Sequence, residues 1–547
     1  MYKFVFSLIV TFTTLTCYAQ VATAKIVNPK KPKLVVGIVI DQMRWDYLQR
    51  FQNRYSKNGF KRIITQGYSC NQTYIPYTPS VTAVGHSCIY TGSVPAINGI
   101  IGNNWYNTTT NKTVYCCDDT TVKCVGGGNP KAGQMSPANM HTTTITDELR
   151  LSNNMQSKVI AVCIKDRGAI LPGGHTANAA YWYDGKTGNW ISSTHYTNAL
   201  PAWLTAFNLQ KNYNKYYAQN WNTLYPINTY TLATADNMPY EAMLKNDKTP
   251  TFPHNLQQYI DTLPDQISST PYGNNFTIDV AKLAIQNEKL GKGTATDFLA
   301  LSLSSPDYIG HKFGPNSIEM EDNYLRLDET ISAFLTYLDS EIGKDKYTIF
   351  LTADHGVAHI PAFNLSYKIP SGTISYDYFL RKLNPLLKEK YGVSNLILNE
   401  QNYQLYLNQK AIVENNINEE QLNNFIIKQC EAESGVAQAF ALANLSSTTL
   451  QPTIKDMLAN GYNKKRSGHI QLILQPAYID GGKTGTTHGL WNPYDTHLPM
   501  LWYGTGINKG SNNNTMYMTD IVPTLAMLLG IQVPNGCVGN VMQGVLK

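Results

Sequence analysis

Four short apolar runs constrain this chain more than any other feature: Leu34 to Ile40, Phe298 to Leu303, Tyr347 to Leu351 and Ile470 to Leu474. Each is rich in Val, Ile, Leu or Phe and bounded by polar or turn residues, the pattern of a strand buried on both faces. Each is also followed by an Asp or a His: Asp41, Asp307, Asp354 and, at longer range, His488. Helical spacing lies between them, as in Leu327, Ile331, Phe334, Leu338 and Ile342, and in the apolar stretch after Thr519 with Pro523 in its first turn. Strands alternating with helices predict an α/β fold with a mostly parallel central sheet flanked by helices. In such sheets ligands gather at the carboxyl ends of the strands, which is where these Asp and His residues fall.

The 547 residues exceed what one small core needs, so the chain is one large domain with insertions or two domains. The rhythm of strands and helices runs from about residue 33 to the C-terminus at residue 547 and breaks twice. Residues 189–275 are rich in Tyr, Asn, Thr and Pro, and residues 361–465 are polar with a helix and strand pattern of their own. Both are expected to be insertions forming a cap over the sheet edge that carries the site. The net charge of +6 is spread without a block of Lys or Arg, which predicts no nucleic-acid or membrane footprint.

Met1-Tyr2-Lys3, an apolar run from Phe4 to Leu15, and Cys17-Tyr18-Ala19 describe a secretory signal cleaved after Ala19. Export to the periplasm or the medium follows. Lipid attachment at Cys17 is the weaker alternative, because Thr16 stands where a lipobox carries Gly, Ala or Ser. No later segment has the apolar length of a membrane span. Eight cysteines remain after cleavage; the cluster Cys116, Cys117 and Cys124 is the expected place for a local bridge, and Cys88 and Cys163 read as buried small hydrophobes.

Asp307-Tyr308-Ile309-Gly310-His311 places a carboxylate and an imidazole one helical turn apart, a spacing that gives a divalent metal two ligands and equally suits a surface ion pair. Asp354-His355-Gly356 ends another strand; both side chains can ligate only where the backbone turns sharply, which Gly356 permits. Asp41 supplies a third carboxylate or a helix cap, and His488 sits in the turn-rich Lys483-Thr484-Gly485-Thr486-Thr487-His488-Gly489. Two close zinc ions need about six protein ligands, and three Asp with three His meet that demand. Pro79-Ser80-Val81-Thr82-Ala83 enters a helix whose N-terminal field favours a bound phosphoryl group. Ser80 and Thr82 are both available there as nucleophile or cap. Gly482-Lys483-Thr484 fails as a phosphate loop, since Ala477 stands where its first Gly is required. His497 and His86 are expected to be structural.

In this order along the chain the motifs resemble the alkaline phosphatase superfamily, in particular its threonine-nucleophile branch, over nearly the whole length after the leader. Gly99-Ile100-Ile101-Gly102-Asn103 and Lys165-Asp166-Arg167 are similar to the phosphate-contacting elements of the phosphate-irrepressible, PafA-like bacterial alkaline phosphatases. The resemblance implies an alkaline-phosphatase-like core with cap insertions and makes Thr82 the nucleophile. It implies one zinc at Asp307, His311 and His488, a second at Asp41, Asp354 and His355 with Thr82 beside it, and phosphoryl oxygens held by Asn103, Lys165 and Arg167. The last pair, at i and i+2, would share one side of an extended segment. The implied activity is hydrolysis of phosphate monoesters through a phosphothreonine, with inorganic phosphate as product and inhibitor, by a protein expected to be a monomer. A phosphodiesterase or nucleotide pyrophosphatase with the same two metals is the alternative, and a surface binding protein with a vestigial site is a further one. A sulfatase is disfavoured because no Cys-x-Pro-x-Arg motif is present.

Overall fold

The computed structural model describes residues 31–375 and 377–547. The leader, with Cys17 and the cleavage site after Ala19, lies outside the described residues. Within them no helix is long and apolar enough to cross a membrane.

Leu34–Ile40 is fully buried along its length and forms the middle of an 11-stranded sheet. It pairs in parallel with Asp297–Leu303 on one side and Tyr347–Thr352 on the other. Val159–Cys163 and then Ala179–Asp184 extend the parallel block beyond Asp297–Leu303. Antiparallel pairing continues both flanks, Met500–Gly504 against Tyr347–Thr352 and Asn189–Ser193 against Ala179–Asp184, with Tyr68–Tyr74 beyond the first and Cys124–Val125 beyond the second. Helices Thr82–Thr91, Asp166–Gly173, Ser305–Phe313, Ile318–Leu338 and Ile521–Leu529 flank this sheet. With helices on its faces, the central strand reads as an unbroken apolar run.

The register decides where the chemistry falls. Thr352, Val39, Ser302 and Cys163 lie in one row across four parallel strands. The chain emerges from this row at the carboxyl edge and reaches Asp354, Asp41, Asp307 and Lys165 within a few residues.

Ile470–Leu474 departs from the expectation for the fourth apolar run. It belongs to a separate four-stranded antiparallel sheet, in the order Ile397–Gln401, Gln404–Leu407, Ile470–Leu474, Val436–Ala441. All five of its residues are buried, so its pattern matches that of a central parallel strand and periodicity cannot separate the two. This sheet and helices Tyr378–Tyr391 and Glu419–Glu431 enclose their own core, which runs from Phe379 to Trp491. Residues 189–275, in contrast, send Trp190, Leu204, Phe207, Tyr217 and Trp221 into the main core. The smaller unit is fastened to the larger by Asn460 Nδ2 donating to the Pro76 carbonyl at 2.7 Å, Asn402 Nδ2 to Asn104 O at 2.9 Å, and the Arg466 guanidinium 4.7 Å from the Trp105 ring centre.

All eight cysteines from Cys70 to Cys537 are free thiols. The nearest approach in the expected cluster is 3.8 Å between the Sγ atoms of the sequence neighbours Cys116 and Cys117, and Cys124 joins neither. Cys88 and Cys163 are fully buried.

Phe350, on the strand that leads to Asp354, packs its ring 5.7 Å from Trp502, 5.9 Å from Tyr90 and 6.5 Å from Phe298. Phe350→Ala is expected to cost about 3–5 kcal/mol, read as a lowered midpoint of urea unfolding.

Candidate active site

Three carboxylates, three imidazoles and one ammonium meet at the carboxyl edge of the sheet. Asp307, His311 and His488 form one group whose ligand atoms lie within 4.8 Å of one another, and Asp41, Asp354 and His355 form a second. Pro306 in the first turn of Ser305–Phe313 starts the helix directly after the strand, so Asp307 and His311 share a face one turn apart. Their contact is 3.2 Å from His311 Nε2 to Asp307 Oδ1, and His488 Nε2 stands 3.6 Å from the same oxygen. In the second group His355 Nε2 is 3.5 Å from Asp41 Oδ1 and 3.3 Å from Asp354 Oδ2.

Gly356 acts differently from the expectation. Its φ is not left-handed, and the constraint is close approach: a Cβ there would stand 2.2 Å from the Tyr494 carbonyl oxygen. The backbone there is held by Gly356 N–H donating to Asp495 O at 2.7 Å and Val357 N–H to Tyr494 O at 2.9 Å.

Each imidazole has its Nδ1 committed to a backbone carbonyl: His311 to Thr486 at 2.8 Å, His488 to Ser80 at 2.8 Å, His355 to Gly356 at 2.9 Å. Nδ1 therefore carries the proton and Nε2 presents a lone pair to the carboxylates, the tautomer a metal ligand needs. Asp41 Oδ1 and Asp354 Oδ2 are buried and accept no hydrogen bond. His86 Nδ1 lies 3.3 Å from Asp354 Oδ2, yet its shorter contact is 2.9 Å to the Thr82 carbonyl, which takes the proton. In the Asp41 group bare carboxylate oxygens stand beside the His355 Nε2, and in the Asp307 group two imidazole Nε2 atoms face Asp307 Oδ1; each donor set fits a divalent cation.

Lys165 stands between the groups. Its Nζ donates to Asp41 Oδ2 at 2.7 Å and Asp307 Oδ2 at 2.6 Å, and lies 3.4 Å from Thr82 Oγ1. Burial and the neighbouring Asp354 push the Asp41 carboxyl well above the usual range, with Lys165 pulling it back. Burial raises Asp307 too, but His311 and Lys165 outweigh it and hold that carboxyl well below its ordinary value. Burial lowers the Lys165 ammonium, and Asp307 with Asp41 more than restores it, so it stays charged. Burial pushes the His355 imidazole down to about 3.

Thr82 opens the helix Thr82–Thr91, and its hydroxyl is 3.4 Å from His355 Nε2. Ser80 Oγ instead donates to the Leu490 carbonyl at 2.7 Å, so only Thr82 faces the two groups. Asn103 Oδ1 accepts the Ala83 N–H at 2.9 Å, in the first turn of the same helix. Arg167 does not sit with Lys165 on an extended segment. Lys165 caps the helix Asp166–Gly173 and Arg167 is its second residue, with Nη1 donating to Tyr115 Oη at 3.3 Å. His86 Nε2 pairs with Ser302 Oγ at 2.8 Å, and His497 stacks between Trp45 and Tyr74, both ring centres 4.7 Å away. Neither imidazole belongs to the two groups of ligand atoms.

Two contributors had no sequence signal. Gln42 donates its Nε2 to Asp307 Oδ1 at 2.7 Å, and Asp495 accepts the N–H groups of Gly489 and Leu490 and thereby holds the loop after His488.

The family described as Type I phosphodiesterase / nucleotide pyrophosphatase matches residues 35–495, and the chain belongs to it. Among curated relatives it is 51% identical over 526 residues to alkaline phosphatase PhoV of Synechococcus elongatus, covering 94% of this chain and 93% of that one. It is 44% identical over 518 residues to alkaline phosphatase PafA of Elizabethkingia meningoseptica, covering 94% and 95%. A Myroides odoratus protein named calcium-transporting ATPase is 49% identical over 540 residues, 98% of each chain. The crystal structure of PafA matches with a TM-score of 0.93 over 94% of this chain and 99% of that one.

Lys165→Ala leaves Asp41 and Asp307 buried without their cation. The metal-free variant is expected to lose about 3–5 kcal/mol of stability, with much of the loss recovered on adding zinc, as read by chemical unfolding with and without the ion. The His355 imidazole adds a pH dependence. Between pH 6.5 and about 3 the unfolded chain binds a proton that the folded one does not, so metal-free stability falls as pH is lowered through that window.

Proposed function

We propose that this protein is an alkaline phosphatase that hydrolyses phosphate monoesters with Thr82 as nucleophile and two zinc ions. The observation that carries the reading is the Thr82 hydroxyl, 3.4 Å from both Lys165 Nζ and His355 Nε2, at the junction of two Asp/His groups. Its relatives PhoV and PafA are named as alkaline phosphatases, which supports the same assignment.

Asp41, Asp354 and His355 would hold one ion and Asp307, His311 and His488 the other; such ions supply Lewis-acid charge and lower the pKa of a hydroxyl or water. Thr82 Oγ attacks phosphorus, the bond to the leaving alkoxide breaks in line, and a phosphothreonine forms. Water then attacks the same phosphorus, inorganic phosphate leaves and the Thr82 hydroxyl is restored. Lys165, Arg167 and the Asn103 amide hold the non-bridging oxygens through both displacements. A monoester dianion offers these cations more charge than a diester does, and Arg can bind two oxygens at once. Phosphate, with the same oxygens, should inhibit as well as leave. Export on the Met1–Ala19 leader would place the reaction in the periplasm or the medium.

Thr82→Ala is expected to lower kcat/KM for p-nitrophenyl phosphate by at least about a thousandfold while zinc content stays at two ions per chain. Lys165→Ala with Arg167→Ala should lower monoester turnover by roughly 100-fold or more and diester turnover far less. Bis-p-nitrophenyl phosphate preferred over the monoester, and still cleaved by the double variant, would establish the phosphodiesterase alternative instead. ATP belongs in the same assay, since the Myroides odoratus relative is named an ATPase and removal of the terminal phosphate is the same displacement.

A further inference from the structure

Gln42 follows the ligand Asp41 and is almost completely buried, with φ at +65°. That left-handed backbone is costly for any residue with a Cβ and free for glycine, so a glutamine there must return something through its side chain. The side chain crosses from one ligand group to the other. Its Nε2 donates to Asp307 Oδ1 at 2.7 Å, while the Gln42 backbone N–H donates to Asp354 Oδ1 at 3.1 Å. One residue thus binds a carboxylate of each group. The amide orientation is fixed by the acceptor it faces, because the flipped form would set Oε1 against a carboxylate oxygen.

The oxygen that Gln42 holds is the one that matters in the Asp307 group. Asp307 Oδ1 is the atom nearest His311 Nε2 and His488 Nε2, and Oδ2 is occupied by Lys165. Gln42 and Lys165 therefore grip opposite oxygens and fix the rotation of the carboxylate. The helix Ser305–Phe313 makes room for this: a Cβ on Gly310 would stand 1.8 Å from Gln42 Oε1. Gly310, between Asp307 and His311, is the opening through which the glutamine reaches Asp307.

We propose that Gln42 is a positioning residue that presets the Asp307 carboxylate for its metal ion and links the two ion sites through Asp354. The inference rests on the metal-dependent reading given above. Gln42→Gly tests it, because glycine keeps the backbone and removes only the side chain. Zinc affinity is measured by competition with a chelating dye, alongside the thermal midpoint of the metal-free protein and kcat and KM for p-nitrophenyl phosphate. The expected result is a zinc affinity lower by roughly 10- to 100-fold for one of the two ions, a lower kcat, and an undiminished midpoint. Gly310→Ala should weaken the same ion, yet add less than about twofold in the Gln42→Gly background, since the two changes act through one contact. Unchanged zinc affinity in Gln42→Gly, or a loss accompanied by a lowered midpoint, would overturn the proposal while wild-type turnover leaves the functional reading standing. A wild-type protein that binds no divalent ion would overturn that reading, and this inference with it.

Discussion

Three carboxylates buried within one small pocket repel one another, and the local structure is arranged around that repulsion. Asp41, Asp307 and Asp354 are each less than one-twentieth exposed, in surroundings where an unpaired charge is costly. Lys165 supplies one counter-charge to two of them. Asp354 instead directs Oδ1 to the backbone N–H groups of Gln42 and His355, at 3.1 and 3.0 Å. The partners act unevenly: burial and Asp354 push the Asp41 carboxyl up, burial lowers the His311 imidazole but Asp307 more than restores it, and burial shifts the His355 and His488 imidazoles toward the neutral form. A pocket where carboxylate oxygens and imidazole Nε2 atoms converge in two groups of three is a candidate cation site by its donor set.

The sheet makes that concentration possible. Parallel strands place all their carboxyl ends on one edge, so four neighbouring strands with a common register deliver four side chains into a space a few ångströms wide. An antiparallel arrangement would send alternate strand ends to opposite edges and separate Asp41 from its partners. The last ligand needs a different route. His488 arrives on the segment leaving the smaller core, and its orientation depends on contacts across the junction: Thr486 N–H to His311 O at 3.0 Å, Thr486 Oγ1 to Ala358 O at 2.9 Å, and His488 Nδ1 to Ser80 O. The smaller unit is thereby coupled to the site by covalent continuity as well as by packing.

This difference in route explains what was legible in the sequence. Asp41, Asp307 and Asp354 follow apolar runs that read as buried strands, so their placement at one edge is a consequence of fold class. His488 has no such tie; Ile470–Leu474 looks like its strand but lies in the other sheet, so the histidine is connected with the rest by ligand count and by the resemblance to a known ordered motif set. The choice between Ser80 and Thr82 is open from the sequence because both precede or begin the helix; what separates them is a tertiary contact, the Leu490 carbonyl that accepts the Ser80 hydroxyl. Lys165 and Arg167 illustrate the limit of periodicity: a helix begins between them, which the pair spacing alone does not reveal. Gln42 was invisible for a related reason. A left-handed φ and a vacancy over Gly310 are properties of two segments brought together, and neither segment carries them alone.

Lys165 has two roles that compete. In the metal-free chain it neutralises Asp41 and Asp307, whereas in the proposed reaction it holds phosphoryl oxygens. An ammonium cannot donate fully to two carboxylates and to a phosphate dianion at once. Divalent ions held by the two groups would supply the carboxylates with more counter-charge than one ammonium does, and would leave Lys165 freer to donate to a phosphoryl oxygen. On the proposed reading, the same residue would balance Asp41 and Asp307 and would also be called on to hold phosphate, so metal binding and the grip on substrate would be coupled through it. Arg167 is paired differently, with Tyr115 Oη at 3.3 Å and the Asp166 carboxylate at 3.9 Å, and with neither Asp41 nor Asp307. Of these two side chains, Lys165 is the one that touches both ligand groups, through Asp41 and Asp307.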